Sequence, residues 1–253
     1  MVQALEKSKQ FMENFTQDNG DEKVELMRSF LQRQDPALLI QEVDDATLRR
    51  FLRARDLDIK KASTMFLAYL RWRESLDLKG GSISVSHLSN ELAQKKMFLQ
   101  GYDKHSRPIG VVFGKRHFPN KGEGGLDEFK RFVVYILDKM CARIPIGQEK
   151  FTIIADVEGW GYSNCDIWAY KGALSILQDY YPERLGKLFL LHVPYVFMAV
   201  WKVVSPFIDC NTRKKIVFVD NMRLTSTLLE DIDENQLPDI YGGKLPLVPI
   251  EVS

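Results

Sequence analysis

Four histidines, three cysteines and a short glycine cluster are the residues from which covalent chemistry would have to be built. His87 falls in a surface loop and His105 in a turn. His192 sits in an apolar run whose flanks disfavour a charged imidazole, so it reads as a hydrogen-bonded core histidine. His117, beside Lys115 and Arg116, is expected at the surface, within reach of an anion. No histidine is paired with a nucleophile. The Gly-x-Ser-x-Gly elbow, the His-Glu-x-x-His zinc helix, the phosphate loop and the dinucleotide fingerprint are all missing. A lipid hydrolase would need Ser or Cys within reach of a His, and no motif supplies it. Gly122, Gly124 and Gly125 precede a helix whose N-terminus can hold an anion, but so weak a motif reads as a flexible connector. Cys141, Cys165 and Cys210 are widely separated, lack metal spacing and read as reduced thiols of a cytoplasmic protein. These residues predict a protein that binds rather than reacts, without catalytic residue, metal or cofactor.

The elements that must position any binding site follow from the apolar pattern. Lys and Arg total 35 and Asp and Glu 34, so no global field draws the chain to nucleic acid or to an anionic membrane. The first residues carry no apolar signal core, and Val2 excludes myristoylation. Helical spacing runs through Val24, Met27, Phe30 and Leu31, through Leu48, Phe51 and Leu52 with Arg49, Arg50 and Arg53 outward, and through Ala62 to Leu70. Gly80-Gly81 then breaks the chain. Beyond it strands and helices alternate: strands over 98–102, 108–113, 151–157, 187–193 and 215–220, and helices over 129–144 and 167–178. That alternation predicts an α/β fold with a mostly parallel sheet. The run Leu188 to Phe207 holds one charge, Lys202. Its second half, 195–207, is a helix apolar on every face, which belongs in a core or against lipid. At about 13 residues it is too short to cross a bilayer, which takes roughly 20. It reads as a lid over an apolar cavity, or as a buried core helix.

Several motifs in this frame carry a resemblance. They are Leu48-Arg49-Arg50-Phe51-Leu52-Arg53-Ala54-Arg55, Tyr180-Tyr181-Pro182-Glu183-Arg184-Leu185-Gly186-Lys187, Pro194, Ser205-Pro206-Phe207-Ile208-Asp209 and Leu237-Pro238-Asp239-Ile240-Tyr241-Gly242-Gly243. The chain resembles the CRAL-TRIO lipid-binding family, in its phosphatidylinositol transfer branch of the yeast secretory-pathway type, as a plant-like or fungal-like single-domain member. The resemblance implies an N-terminal arm over 1–22, a helical cap over 23–80 and a lipid-binding domain over 90–248. The last would be a mainly parallel five-stranded sheet flanked by helices, enclosing an apolar lipid cavity under a gate helix. It assigns the phosphatidylinositol head group to Arg55, Glu183, Thr212 and Lys215: two cations for the phosphodiester, a hydroxyl donor, and a carboxylate to hold Lys215 or accept from inositol. The acyl cavity and second-ligand pocket are expected at Phe113, Phe132, Ile136, Met140, Phe151 and Ile153. The gate is expected at Val196, Phe197, Val200, Trp201, Val204 and Phe207. Where the family also carries phosphatidylcholine, a Ser-x-Thr precedes a strand-end Asp; aligned on Asp156, those positions are Phe151 and Ile153. Neither can donate a hydrogen bond to a phosphate, whose uncompensated burial costs on the order of a few kcal/mol. Phosphatidylcholine is therefore not expected by that route. The expected activity is transfer of phosphatidylinositol between membranes, or its presentation to a phosphoinositide kinase, by a cytoplasmic protein that visits membranes. The second ligand stays open. The alternative is a carrier or sensor of a small hydrophobe such as a sterol or a tocopherol-like molecule.

Overall fold

The computed structural model describes residues 20–76, 78 and 83–252. The N-terminal arm falls almost wholly outside these residues, as does the Gly80-Gly81 break. The chain divides into two compact units, Met1–Ser75 and Leu76–Ser253.

The first unit is helical. Residues 20–34 (α1), Asp45–Arg53 (α2) and Ile59–Ser75 (α3) bury Val24, Met27, Leu31, Leu48, Phe51, Leu52 and Phe66 in one core. Asp44 caps α2 by accepting from the Thr47 amide at 2.7 Å. Two successive left-handed residues, Asp56 and Leu57, follow the helix and turn the chain into α3. Arg50, expected outward, is buried, and its guanidinium donates to the Thr47 hydroxyl one turn back at 2.7 Å.

The second unit holds a six-stranded sheet in the order β5-β4-β3-β2-β1-β6. The strands are Met97–Tyr102 (β1), Pro108–Phe113 (β2), Phe151–Asp156 (β3), Leu185–Leu191 (β4), Ile216–Phe218 (β5) and Val248–Pro249 (β6). β2 to β5 run parallel, while β1 pairs antiparallel with both β2 and β6. The sheet therefore has one strand more than the five expected. β6 is two residues long and ends in proline, which an edge position tolerates and a sequence pattern does not reveal. β4 starts two residues earlier than expected, at Leu185, and stops two residues early because His192, at φ 50°, leaves extended geometry. The helices are Ser89–Ala93 (α4), Gly125–Ala142 (α5), Ile167–Tyr180 (α6), Tyr195–Val204 (α7), Cys210–Arg213 (α8) and Leu224–Asp231 (α9). α5 begins four residues before its first expected residue because Gly124, at φ 76°, supplies the left-handed entry that a side chain would disfavour.

Strand alternation sends the two sets of side chains to different fates. Ile109, Val111, Phe113, Ile154, Phe189 and Leu191 pack with Leu224 and Leu228 of α9 and with Ile232, Leu237 and Tyr241 into one core. The other set, Val112, Phe151, Ile153, Ala155, Leu188, Leu190 and Ile216, looks into a space bounded by α5, α6 and α7.

Candidate functional site

That space is a cavity of about 400 Å³. Phe132 and Ile136 of α5 line it beside Phe151 and Ile153, as do Phe197, Val200, Trp201 and Val204 of α7. Two expected lining residues lie elsewhere. Phe113 points to the closed face, edge-on to Phe98 at 5.4 Å and under the Arg116 guanidinium at 4.5 Å. Met140 is fully buried and outside the lining. Of the gate residues, Val196 packs against the cluster around Val157 and Trp160, and Phe207 stands half exposed with the Lys171 ammonium 4.0 Å from its ring. Tyr170, Ala173, Leu174 and Leu177 of α6 form a wall that sequence reasoning missed. Their spacing of three, four and seven is the helical stripe that would have marked it.

α7 is not buried on every side. Val200 and Val204 are buried, whereas Tyr195 and Val203, like Phe207 in the turn just past the helix, are exposed. The helix closes the cavity with one apolar face and turns another outward. Trp160 stands under it, edge-on to Phe197 at 5.4 Å, with its indole donating to the Tyr170 hydroxyl at 3.1 Å. That hydroxyl donates to the Asn164 carbonyl at 2.6 Å, and burial pushes its pKa up to about 12.

The lining includes few polar side chains. Thr212, in the short helix α8, is one of them. Asp209 caps α8, accepting from the Asn211 and Thr212 amides at 2.9 and 2.8 Å. Burial alone would raise the Asp209 carboxyl, but the hydrogen bonds from Thr212 outweigh it and hold it below its ordinary range. Three residues on, the Lys215 ammonium sits 3.4 Å from the Glu183 carboxylate, with both side chains mostly buried. Glu183 adopts a left-handed φ of 58° just before β4. Glu183, Thr212 and Lys215 thus gather where β4 and β5 begin, at the edge of the cavity. Arg55 belongs to the helical unit, where its guanidinium donates to the Ala54 carbonyl at 2.8 Å.

A second polar group abuts the lining. His117, expected at the surface, is buried; Asn164 accounts for this by donating to the backbone carbonyls of Lys115 and His117 at 2.9 and 3.0 Å, which folds that segment inward. The Lys96 ammonium pairs with Glu91 and donates to His117 Nδ1 at 2.8 Å. A ring that accepts at Nδ1 keeps its proton on Nε2, which faces the Asp166 carboxylate at 3.7 Å. Burial, then the Lys96 charge, push the imidazole down to about 4. His192 lies just past β4, with Nδ1 3.0 Å from the Asp156 carboxylate, which also accepts from the Tyr241 hydroxyl at 2.8 Å. Asp156, Glu158 and His192 bring ligand atoms within 4.8 Å of one another, but Asp156 is committed to these bonds. Among the described residues no helix is long and apolar enough to cross a membrane.

An apolar chamber between a parallel sheet and a helix, with a charged cluster at its edge, is shaped to hold an apolar ligand with a polar end. A family model for the CRAL/TRIO domain matches residues 92–243, and one for the CRAL/TRIO N-terminal domain matches residues 7–68. A CRAL-TRIO domain-containing protein of Saccharomyces cerevisiae is 32% identical over 80% of this chain and 72% of its own length. A phosphatidylinositol/phosphatidylcholine transfer protein of Arabidopsis thaliana is 32% identical over 89% of this chain and 63% of its own length. The crystal structure of Sfh5 superposes with a TM-score of 0.64 at 18% identity, covering 83% of this chain and 84% of that one. The chain belongs to the CRAL/TRIO family, whose members bind and transfer lipids and are not enzymes. Curated relatives differ in length, and the chain spans from 32% to 76% of theirs.

Proposed function

We propose that this protein binds phosphatidylinositol, with the acyl chains in the chamber and the phosphodiester at Thr212 and Lys215, and exchanges it between membranes or presents it to a lipid kinase. The observation that carries this reading is contiguity: Thr212 is part of the apolar wall, and Lys215 with Glu183 lies at the same edge. Burying each methylene contributes about 0.8 kcal/mol, so an apolar wall matches what the lipid leaves behind in a bilayer. Phe151 and Ile153, both on the wall, offer a phosphate no hydroxyl, which argues against phosphatidylcholine held by that strand. Such a carrier works from the cytoplasm and meets membranes transiently.

The test is mass spectrometry of lipids retained by the purified chain after incubation with mixed vesicles. Phosphatidylinositol at near one per protein, lost in Lys215→Ala, supports the reading. A second reading is supported by the chamber's size. About 400 Å³ lies near the lower end of the roughly 300–1,000 Å³ typical of small-molecule sites, which suits a single compact hydrophobe. Retention of a sterol or another neutral lipid, indifferent to Lys215→Ala, would favour that reading instead.

A further inference from the structure

Three adjacent parallel strands, β3, β4 and β5, are each preceded by a charged residue: Lys150 directly before β3, Glu183 two residues before β4, and Lys215 directly before β5. The sheet order places the carboxylate between the two ammonium groups. Glu183 Oε2 lies 3.4 Å from Lys215 Nζ and 3.9 Å from Lys150 Nζ. The first strand residues that follow, Phe151, Leu185 and Ile216, all line the chamber. The trio therefore occupies the end of the chamber wall. Its charges sum to +1, whereas the Lys215–Glu183 pair alone sums to zero.

This difference decides what can bind. A phosphodiester brought to Lys215 is also brought near the Glu183 carboxylate, whose repulsion offsets part of the attraction. A second ammonium on the same carboxylate restores a net positive site.

We propose that Lys150 is a specificity-determining residue, the second cation of the head-group site, selecting lipids whose head group carries net negative charge over zwitterionic ones. A phosphodiester with an uncharged polyol gains from the net charge; a choline head group brings its own cation and loses that gain. The proposal rests on the head-group reading of Glu183, Thr212 and Lys215.

The test loads the full chain from vesicles of equimolar phosphatidylinositol and phosphatidylcholine and measures the bound ratio. Lys150→Gln is expected to lower the phosphatidylinositol share about two- to fivefold, the size of one partly screened charge contact. Lys150→Arg should restore it, and the difference should shrink in high salt because Lys150 is 37% exposed. If Lys215→Ala loses phosphatidylinositol while Lys150→Gln keeps the wild-type ratio, the head-group reading stands and the role of Lys150 is overturned. Equal loss of both lipids in Lys150→Gln overturns it too, since that marks a structural effect. If the wild type retains no phosphatidylinositol, both readings fall.

Discussion

The two faces of the sheet are built from neighbouring residues of the same strands, yet one is filled by the protein and the other is left for something else. On the closed face Ile109, Val111, Phe113, Ile154, Phe189 and Leu191 pack with α9 and the C-terminal turns into one core. On the open face Val112, Ile153, Ala155 and Leu188 alternate with them and meet a chamber. Both sets are apolar, so hydrophobicity does not distinguish stability from binding here. What each set meets does: other side chains on one face, a cavity on the other. The closed face contributes its burial free energy to folding outright, while the open face holds part of the same free energy in reserve for a ligand.

The comparison is broken most severely on β4. Phe189→Ala on the closed face is expected to cost about 3–5 kcal/mol of unfolding free energy, because a fully buried ring leaves a void. Leu188→Ala, one residue away on the chamber wall, should cost well under half of that, since it enlarges an existing space; denaturant titration of both variants checks the contrast. The next effect is acidification. The folded state keeps His117 neutral down to about 4, while the unfolded chain binds a proton near 6.5. Between those values the unfolded state holds more protons, so stability is complete above about 6.5 and is lost as pH falls toward 4. The loss is on the order of 3 kcal/mol, and unfolding curves across that window should flatten in His117→Gln. The Lys96 ammonium and the Asp166 carboxylate face the ring, and Glu91 pairs with Lys96. The smallest change in stability is expected from filling the chamber. Ala155→Leu should alter unfolding by roughly 1 kcal/mol in either direction while reducing lipid loading, which separates the two uses of apolar surface.

Much of this was legible in sequence, for reasons that differ by element. β2, β3 and α6 are apolar runs with clear boundaries, so they were placed within a residue or two. β6 was not, because two residues make no periodicity. Lys115 and Arg116 made His117 look exposed; only Asn164, 47 residues on, turns the segment inward. The pairing of Glu183 with Lys215 brings together residues that the resemblance named. Lys150 carried no motif at all, because its significance depends on which strands are neighbours in the sheet.

The two-sided character of α7 has a consequence for what holds the lid shut. In water, lifting the helix would wet Phe197, Val200, Trp201 and Val204, at about 1.5–3 kcal/mol for each side chain fully exposed. In hydrocarbon the same movement exposes nothing to water, and Tyr195 and Val203 on the outer face, with Phe207 just past the helix, are matched to such surroundings. If α7 lifts as the proposed lipid exchange requires, the latch is the solvent itself: closed wherever water surrounds the helix, and released where water is excluded.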